Sequence, residues 1–376
     1  VNHIMNITDV GHLESDSNDG EDKIEKAARV ERKSAYDIAR FYETEFKKDL
    51  KSLNILPPTK YVRATEHIKE QIKLIQILEK KGFTYKTSDG IYFDTSRLKD
   101  YGKLARKNIA GIRTGARVSR GEKRNNTDFV LWKFSPEGAY RQMEWTSPWG
   151  VGFPSWHVEC SALSMKYLGS TLDIHCGGID HIQIHHSNEI AQSEAATGKP
   201  FSRFWMHGAF LTVRGEKMAK SSPETNITLE ALRGRGFDPL DFRYLALGTH
   251  YRKPLSFSWE ALAGARRARL KILDAYTMLS VRMSKVDSQF QKKLARALND
   301  DLNTPRALAI LWEWIKGGGS EKLIAQADKV FGLAIRKTTA ITRRKQNVPG
   351  AITGLARLRE ASRAAKDWAE ADAYRK

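Results

Sequence analysis

Side chains that commonly bind transition metals lie close together between residues 156 and 189. Cys160 supplies a thiol, His185 an imidazole and Glu189 a carboxylate, and zinc binds all three donor types in proteins. His185 and Glu189 are four residues apart, so a helix would place both on one face, whereas Cys160 must arrive from a separate segment. Three protein ligands leave one coordination position open, which is typical of a catalytic zinc site.

Taken one at a time, these residues have simpler interpretations. A lone cysteine is more often a small buried apolar residue than a ligand, and the adjacent pair His185 and His186 is often just the polar start of a helix. The combination of donors, and the segment that follows them, favours the metal site.

A possible phosphate-binding loop follows this cluster. Gly215 provides a turn, and Lys217, Lys220, Ser221 and Ser222 come directly after it. Lysine acts on phosphates as a point charge, and small residues let the backbone approach them. Lysine-rich surface loops are common, so the position of this loop after the metal-type cluster carries the interpretation.

At these residues the sequence resembles the cysteine–tRNA ligases, a family of class I aminoacyl-tRNA synthetases. The resemblance extends over nearly the whole chain. Its specific motifs are Trp-His-Val-Glu-Cys-Ser at 156–161, Gly-Gly-Ile-Asp at 177–180, His-His-Ser-Asn-Glu-Ile-Ala-Gln-Ser-Glu at 185–194, Trp-Met-His at 205–207 and Lys-Met-Ala-Lys-Ser at 217–221. It implies an α/β fold and the ATP-dependent ligation of cysteine to tRNA through a cysteinyl-adenylate.

The resemblance also implies how cysteine is selected. One zinc ion per chain, held by Cys160, His185 and Glu189, would bind the substrate thiolate in its open position. Serine offers no soft thiolate, so discrimination would be large and editing unnecessary. Trp156 matches a residue that walls the substrate pocket, and Thr8 is expected to face the substrate amine.

ATP, accompanied by Mg²⁺, is the second implied substrate. Lys217 and Lys220 are expected to bind its phosphates, with Lys220 as the catalytic residue that stabilises charge on the leaving pyrophosphate. Gly177 and Gly178 permit close approach of the backbone to a ligand. Asp180, just past a predicted strand, is placed to accept bonds from ribose hydroxyls, although a helix cap is the alternative interpretation.

Three positions depart from the family pattern. Cys176 stands where a glycine is usual, and we expect a small buried residue rather than a spare metal ligand. Ser187 replaces a glutamate and Ala219 replaces a serine. Both lysines of the loop are intact, so phosphate binding is expected to survive.

Hydrophobic periodicity, chain breakers and the resemblance together predict a Rossmann-like parallel sheet, a connective insertion and a C-terminal α-helical domain. The predicted segments are a first part of the catalytic domain at 1–62, the insertion at 63–146, the second catalytic half with the lysine loop at 147–225, a stem-contact helical region at 226–280 and a helical tRNA-binding domain at 281–376.

Composition narrows the class of partner. The 376 residues carry a formal net charge of +19, which favours a polyanion such as tRNA. The two cysteines fit a reducing cytoplasm rather than a disulfide framework. No apolar run reaches transmembrane length, so no membrane partner is expected. We expect a monomer.

The chain opens at Val1, inside a predicted strand. The resemblance implies that an earlier segment carries a first strand, a fourth zinc ligand and the histidine-containing ATP signature. We therefore expect an N-terminally incomplete chain, incomplete also at its C-terminal end, that does not aminoacylate tRNA by itself.

Two other functions stay open from the sequence. A related ligase joins activated cysteine to an amino-sugar and shares the metal site and the lysine loop. The run at 188–192, the Asp-Leu-Asn-Thr-Pro motif at 301–305 and the basic C-terminal helices favour the tRNA enzyme. A catalytically inactive RNA-binding paralogue is the other alternative, and the intact metal and lysine motifs argue against it.

Overall fold

The computed structural model divides the chain into two compact units. The first comprises Val1–Asn226 with Tyr251–Ser256, and the second comprises Ile227–His250 with Phe257–Lys376. The structure describes residues 1–11, 22–105, 122–136, 138, 141–213, 216–217, 227–278, 286–336, 338, 355, 358–359, 361–363 and 367–374. Within those ranges, no helix is long and apolar enough to cross a membrane. The five-segment division drawn from the sequence stays a prediction.

The first unit mixes strands and helices. Its strands are β1 Ile4–Ile7, β2 Lys60–Arg63, β3 Thr84–Lys86, β4 Gly90–Phe93, β5 Phe129–Phe134, β6 Trp145–Ser147, β7 Gly150–Pro154, β8 Leu172–Gly178, β9 Ser202–Gly208, β10 Leu211–Val213 and β11 Glu216–Lys217. Its helices are α1 Lys23–Glu31, α2 Ala35–Ser52, α3 Ile68–Lys80, α4 Trp156–Leu168 and α5 His185–Thr197, with 3₁₀ turns at Thr65–His67, Thr95–Arg97, Lys103–Ala105 and Ile179–His181.

Two parallel strand pairs and three helices position the site. β1 pairs with β2, and β8 pairs with β9. Helix α4 packs against α3, α5 and β1, around a core that includes Val62, Leu163 and Ala191. Parallel strands connected through helices are the arrangement predicted from the sequence, and the α/β fold class is confirmed.

A separate antiparallel sheet lies between those pairs in the chain. Its five strands run in the order β3-β4-β5-β7-β6, and a turn around Ser88-Asp89-Gly90 joins β3 to β4 in an antiparallel hairpin. Trp132 on β5 is fully buried, and Trp145 packs against the same core. Both tryptophans therefore contribute to packing in this aromatic-rich segment.

The second unit is helical. It contains α6 Leu229–Gly234, α7 Pro239–Leu247, α8 Trp259–Met278, α9 Val286–Asn299, α10 Thr304–Lys316, α11 Glu321–Phe331 and α12 Trp368–Ala373. Strand β12, Leu255–Phe257, falls largely in the Tyr251–Ser256 segment of the first unit. The side chain of Asn303 caps α10 by accepting from the Arg306 N–H, with proline in the first turn. Asn303 is therefore the cap residue. Trp314 is buried beside Phe331 in the core of this unit.

A buried ion pair joins α7 to α8 in the second unit. Arg269 Nε lies 2.7 Å from Asp241 Oδ1, and both side chains are almost completely buried. Asp241 also receives the N–H of Asp238 and completes the capping box of α7. Removing one partner of such a pair leaves the other charge buried without compensation.

Arg269→Ala is therefore expected to lower the free energy of unfolding of the second unit by about 3–5 kcal/mol. Arg267→Ala, an exposed arginine on the same helix, should change it by less than about 0.5 kcal/mol. Urea denaturation followed by circular dichroism measures both. Equal stability of the two variants would show that the ion pair contributes nothing.

Candidate metal centre and active site

Helices α4 and α5 bring the three predicted metal ligands together. Cys160 lies on α4, while His185 and Glu189 lie one turn apart on α5. One ligand atom from each of the three lies within 4.8 Å of the others, and all three residues are buried. The predicted helical spacing of His185 and Glu189 and the separate origin of Cys160 are both present.

Polar contacts between the two helices fix their register. The Gln192 amide on α5 donates to Ser161 Oγ on α4 at 2.6 Å, and Ser193 Oγ donates to the same hydroxyl at 3.0 Å. All three side chains are fully buried. A slip of one helix turn would break these bonds and leave buried polar groups unpaired, which is costly. The same register sets Cys160 opposite Glu189.

The donor set fits a borderline-soft divalent ion such as zinc. Thiolate, imidazole and carboxylate are the zinc donors of proteins, and His185 Nε2 already lies 3.1 Å from Glu189 Oε1. Burial raises the pKa of the Cys160 thiol well above its usual value, and the nearby carboxylates raise it further. A cation between these groups would offset that charge and favour the thiolate.

Glu189 is a completely buried carboxylate. Burial by itself would raise its pKa, but His175 and His185 hold that pKa well below its usual range. The carboxylate is therefore ionised. For His175, burial lowers the pKa, because the charged form of an imidazole is the cation. The adjacent Glu189 carboxylate has the larger effect, so the pKa of His175 is raised.

Further histidines surround the three donors. His175 Nε2 lies 3.3 Å from Glu189, and His186 Nδ1 lies 2.8 Å from His207 Nε2. Burial lowers the pKa of His186 to about 3, so its imidazole is neutral. His175 and His207 are site residues that the sequence patterns did not predict. Their signal was their place at the same end of adjacent strands, β8 and β9.

Trp156, predicted to wall the substrate pocket, lies against this histidine cluster. Its ring centroid is 4.4 Å from that of His185 and 5.4 Å from that of His181, and the residue is partly exposed. Thr8 is exposed directly after β1, the strand whose Asn6 side chain hydrogen-bonds to the Cys160 thiol. Asn6 is a contact that sequence reasoning missed.

The residues predicted to bind ATP lie at the carboxyl end of β8. Gly177 and Gly178 end the strand opposite His207 and Gly208 of β9, and Asp180 follows, exposed, in the 3₁₀ turn. A Cβ on Gly177 would lie 2.5 Å from His186 Cε1, and one on Gly178 would lie 2.4 Å from Asp180 Oδ1. Larger residues would disturb the histidine cluster or the Asp180 carboxylate.

The lysine loop is described only in part. The backbone of Lys217 pairs with that of Thr212 in the β10–β11 ladder, whereas Lys220 and Ala219 lie outside the described residues.

Cys176 is exposed, so the expectation of a small buried residue was wrong. Its strand neighbour His175 packs instead against His186 and Trp205. Ser187 is buried and donates to the Ile182 carbonyl.

The fold is that of a class I aminoacyl-tRNA synthetase. It resembles the solved structure of methionyl-tRNA synthetase from Mycobacterium tuberculosis bound by methionyl-adenylate, with a TM-score of 0.56 and 16% identity over 86% of this chain and 75% of that one. Residues 1–267 match the family model described as the class I (C) tRNA synthetase catalytic domain.

Two curated relatives identify the family within the class I synthetases. Cysteine--tRNA ligase 1 of Burkholderia lata is 49% identical over 380 residues, covering 100% of this chain and 80% of that protein. The cysteine--tRNA ligase of Chlorobaculum tepidum is 41% identical over 402 residues, covering 100% of this chain and 82% of that protein. The chain belongs to the cysteine–tRNA ligase family of class I synthetases.

Cys160→Ala is expected to weaken zinc binding, because it removes the only thiol of the cluster. A loss of at least about tenfold in affinity is expected, given that even outer contacts of metal ligands are worth that much. Competition with a chromophoric chelator measures the affinity. Cys176→Ala is the matched control and should leave it unchanged. Equal affinities in wild type and Cys160→Ala would remove Cys160 from the ligand set.

Proposed function

We propose that this chain carries out the ATP-dependent ligation of cysteine to its tRNA, with zinc selecting the substrate thiolate. The observation that carries the proposal is the convergence of Cys160, His185 and Glu189 in a chain of the cysteine–tRNA ligase family. Three buried donors leave coordination positions for further ligands, and the substrate thiolate has the softness that zinc favours over a hydroxyl.

The residues of this chain hold cysteine in place. Cys160, His185 and Glu189 would hold the zinc ion, which when bound supplies a Lewis acid that keeps the substrate sulfur as a thiolate. Trp156 lies over His185 and limits the volume beside that position. Thr8, exposed at the end of β1, is the proposed partner of the substrate amine.

ATP is proposed to bind at the carboxyl end of β8. Its ribose hydroxyls would donate to Asp180, and the small Gly177 and Gly178 would allow its close approach. The cysteine carboxylate then attacks the α-phosphate, and Lys217 and Lys220 stabilise the charge that develops on the departing pyrophosphate, accompanied by Mg²⁺. A ribose hydroxyl of the tRNA end then attacks the carbonyl carbon of the adenylate, the acyl–phosphate bond breaks and AMP leaves as the ester forms.

The acceptor distinguishes the proposed function from its alternatives. The full-length gene product should transfer radiolabelled cysteine to tRNA and leave serine and amino-sugars unreacted. Transfer to an amino-sugar with none to tRNA would favour the thiol-biosynthesis ligase. Binding of tRNA without adenylate formation would favour an inactive paralogue.

Lys220 is the residue proposed to act on the pyrophosphate. Lys220→Ala should slow cysteine-dependent ATP–pyrophosphate exchange by about 10²–10³-fold, because it removes one stabilising group from the transition state. ATP binding should weaken less than the rate falls. Lys199→Ala, an exposed lysine of the same unit, is the control. An unchanged exchange rate in Lys220→Ala would exclude Lys220 from the mechanism.

Transfer RNA is proposed to contact the basic surface of the second unit. Arg233, Arg235, Arg266 and Arg267 are exposed on α6, after it and on α8. The guanidinium of Arg235 lies 4.0 Å from the ring centroid of Trp259, so the charges are held beside aromatic rings. This arrangement suits phosphate contacts.

Binding of tRNA should therefore weaken steeply as salt rises. Replacing Arg266 and Arg267 by alanine should reduce the slope of log affinity against log salt by about one for each phosphate that the variant no longer neutralises. Lys73→Ala, an exposed lysine on α3, is the control and should keep the slope. An unchanged slope in the double variant would mean that tRNA phosphates bind elsewhere.

The cellular setting belongs to the same proposal. Both Cys160 and Cys176 are free thiols, which suits a reducing compartment. We place the reaction in the cytoplasm, and we propose that the enzyme acts as a monomer.

A further inference from the structure

A second set of metal-binding donors shares Glu189 with the first. One ligand atom each from His175, His186 and Glu189 lies within 4.8 Å of the others. His175 Nε2 is 3.3 Å from Glu189 Oε2, and His186 Nε2 is 3.8 Å from Glu189 Oε1. This set contains two imidazoles and one carboxylate and no thiol.

Contacts around these donors resemble those around metal-bound histidines. A metal-ligating imidazole usually has its other ring nitrogen fixed by a hydrogen-bond partner. His186 meets that condition, because its Nδ1 lies 2.8 Å from His207 Nε2 and its Nε2 is left to face Glu189. The side chains of His186 and His207 are both buried or nearly so.

Gly177 lets strand β8 approach these donors closely. A Cβ at this position would lie 2.7 Å from His186 Nε2 and 2.8 Å from His181 Nδ1, so a larger residue would push the imidazoles away from their present positions. Glycine at 177 therefore allows His186 to stand against β8 with its Nε2 facing Glu189.

Glu189 belongs to both sets, so a single cation would occupy only one of them at a time. Among the described residues, the two sets offer two anionic ligands, Cys160 and Glu189. Two divalent ions bridged by a carboxylate would lie about 3.5–4 Å apart, and two negative ligands would leave much of their mutual repulsion uncompensated in this buried site.

We propose that Glu189 serves two adjacent positions for one divalent cation: the thiolate position with Cys160 and His185, and a second, thiol-independent position with His175 and His186. The second position takes ions that favour imidazole and carboxylate, such as Zn²⁺, Co²⁺ and Cu²⁺. This second position is additional to the proposed ligase reaction. The proposal includes the thiolate position only because both positions share Glu189.

The test uses the full-length protein and Co²⁺ binding in a Cys160→Ala background. Adding His185→Ala to that background removes a ligand of the thiolate position and should change Co²⁺ affinity by no more than about threefold. Adding His175→Ala removes a ligand of the second position and should lower Co²⁺ affinity by at least about tenfold, the scale expected when a ligand or its outer partner is removed. The reverse ranking would overturn the second position.

A second measurement decides the case if a double variant does not fold. Cu²⁺ bound to the Cys160→Ala protein should show two coordinated imidazoles by pulsed EPR, and the Cys160→Ala/His186→Gln protein should show one. A single imidazole in Cys160→Ala that is lost in Cys160→Ala/His185→Ala would overturn the proposal.

Co²⁺ binding to the wild-type protein distinguishes failure of the thiolate position from failure of the second position. A thiolate-to-cobalt charge-transfer band reports the Cys160 position alone. If that band is absent while Co²⁺ binds through His175, the thiolate position fails and the second one stands. If the band is present and Cys160→Ala binds no Co²⁺ at all, the second position is wrong and the ligand set of the proposed function stands.

Discussion

The site depends on a fully buried carboxylate at Glu189. An isolated charge at such a position would be strongly unfavourable, and here His175 and His185 flank it at 3.3 Å and 3.1 Å. These imidazoles come from β8 and from the start of α5. The position of the carboxylate therefore fixes how the strand, the helix and Cys160 of α4 meet, and a cation held there would complete the charge balance.

The surrounding secondary structure serves that arrangement. Ser161, Gln192 and Ser193 lock α4 to α5 through buried hydrogen bonds, which sets Cys160 opposite the carboxylate. The parallel pairing of β8 with β9 ends in glycines next to the histidines. The proposed sites for cysteine and for ATP therefore both lie around the carboxyl end of β8. Two substrates that react with each other must bind in neighbouring places.

The second unit has a different physical basis. Its helices pack around Trp314, Phe331 and other apolar side chains, and the buried pair of Asp241 and Arg269 ties α7 to α8. Arg235 and Arg266 remain exposed on its surface. Buried arginine is used here for stability and exposed arginine is available for phosphates, a distinction that the net charge of the chain does not reveal.

The sequence by itself determined the donor types, the helical spacing of His185 and Glu189 and the parallel α/β class, because each follows from local chemistry or periodicity. Tertiary structure alone decided the rest. His175, His207 and Asn6 join the site through strand pairing and packing between segments far apart in the chain, which no local pattern encodes. Cys176 is exposed, whereas its neighbour His175 packs against His186 and Trp205, so the path of β8 through the fold, and not the apolar character of the thiol, set its environment.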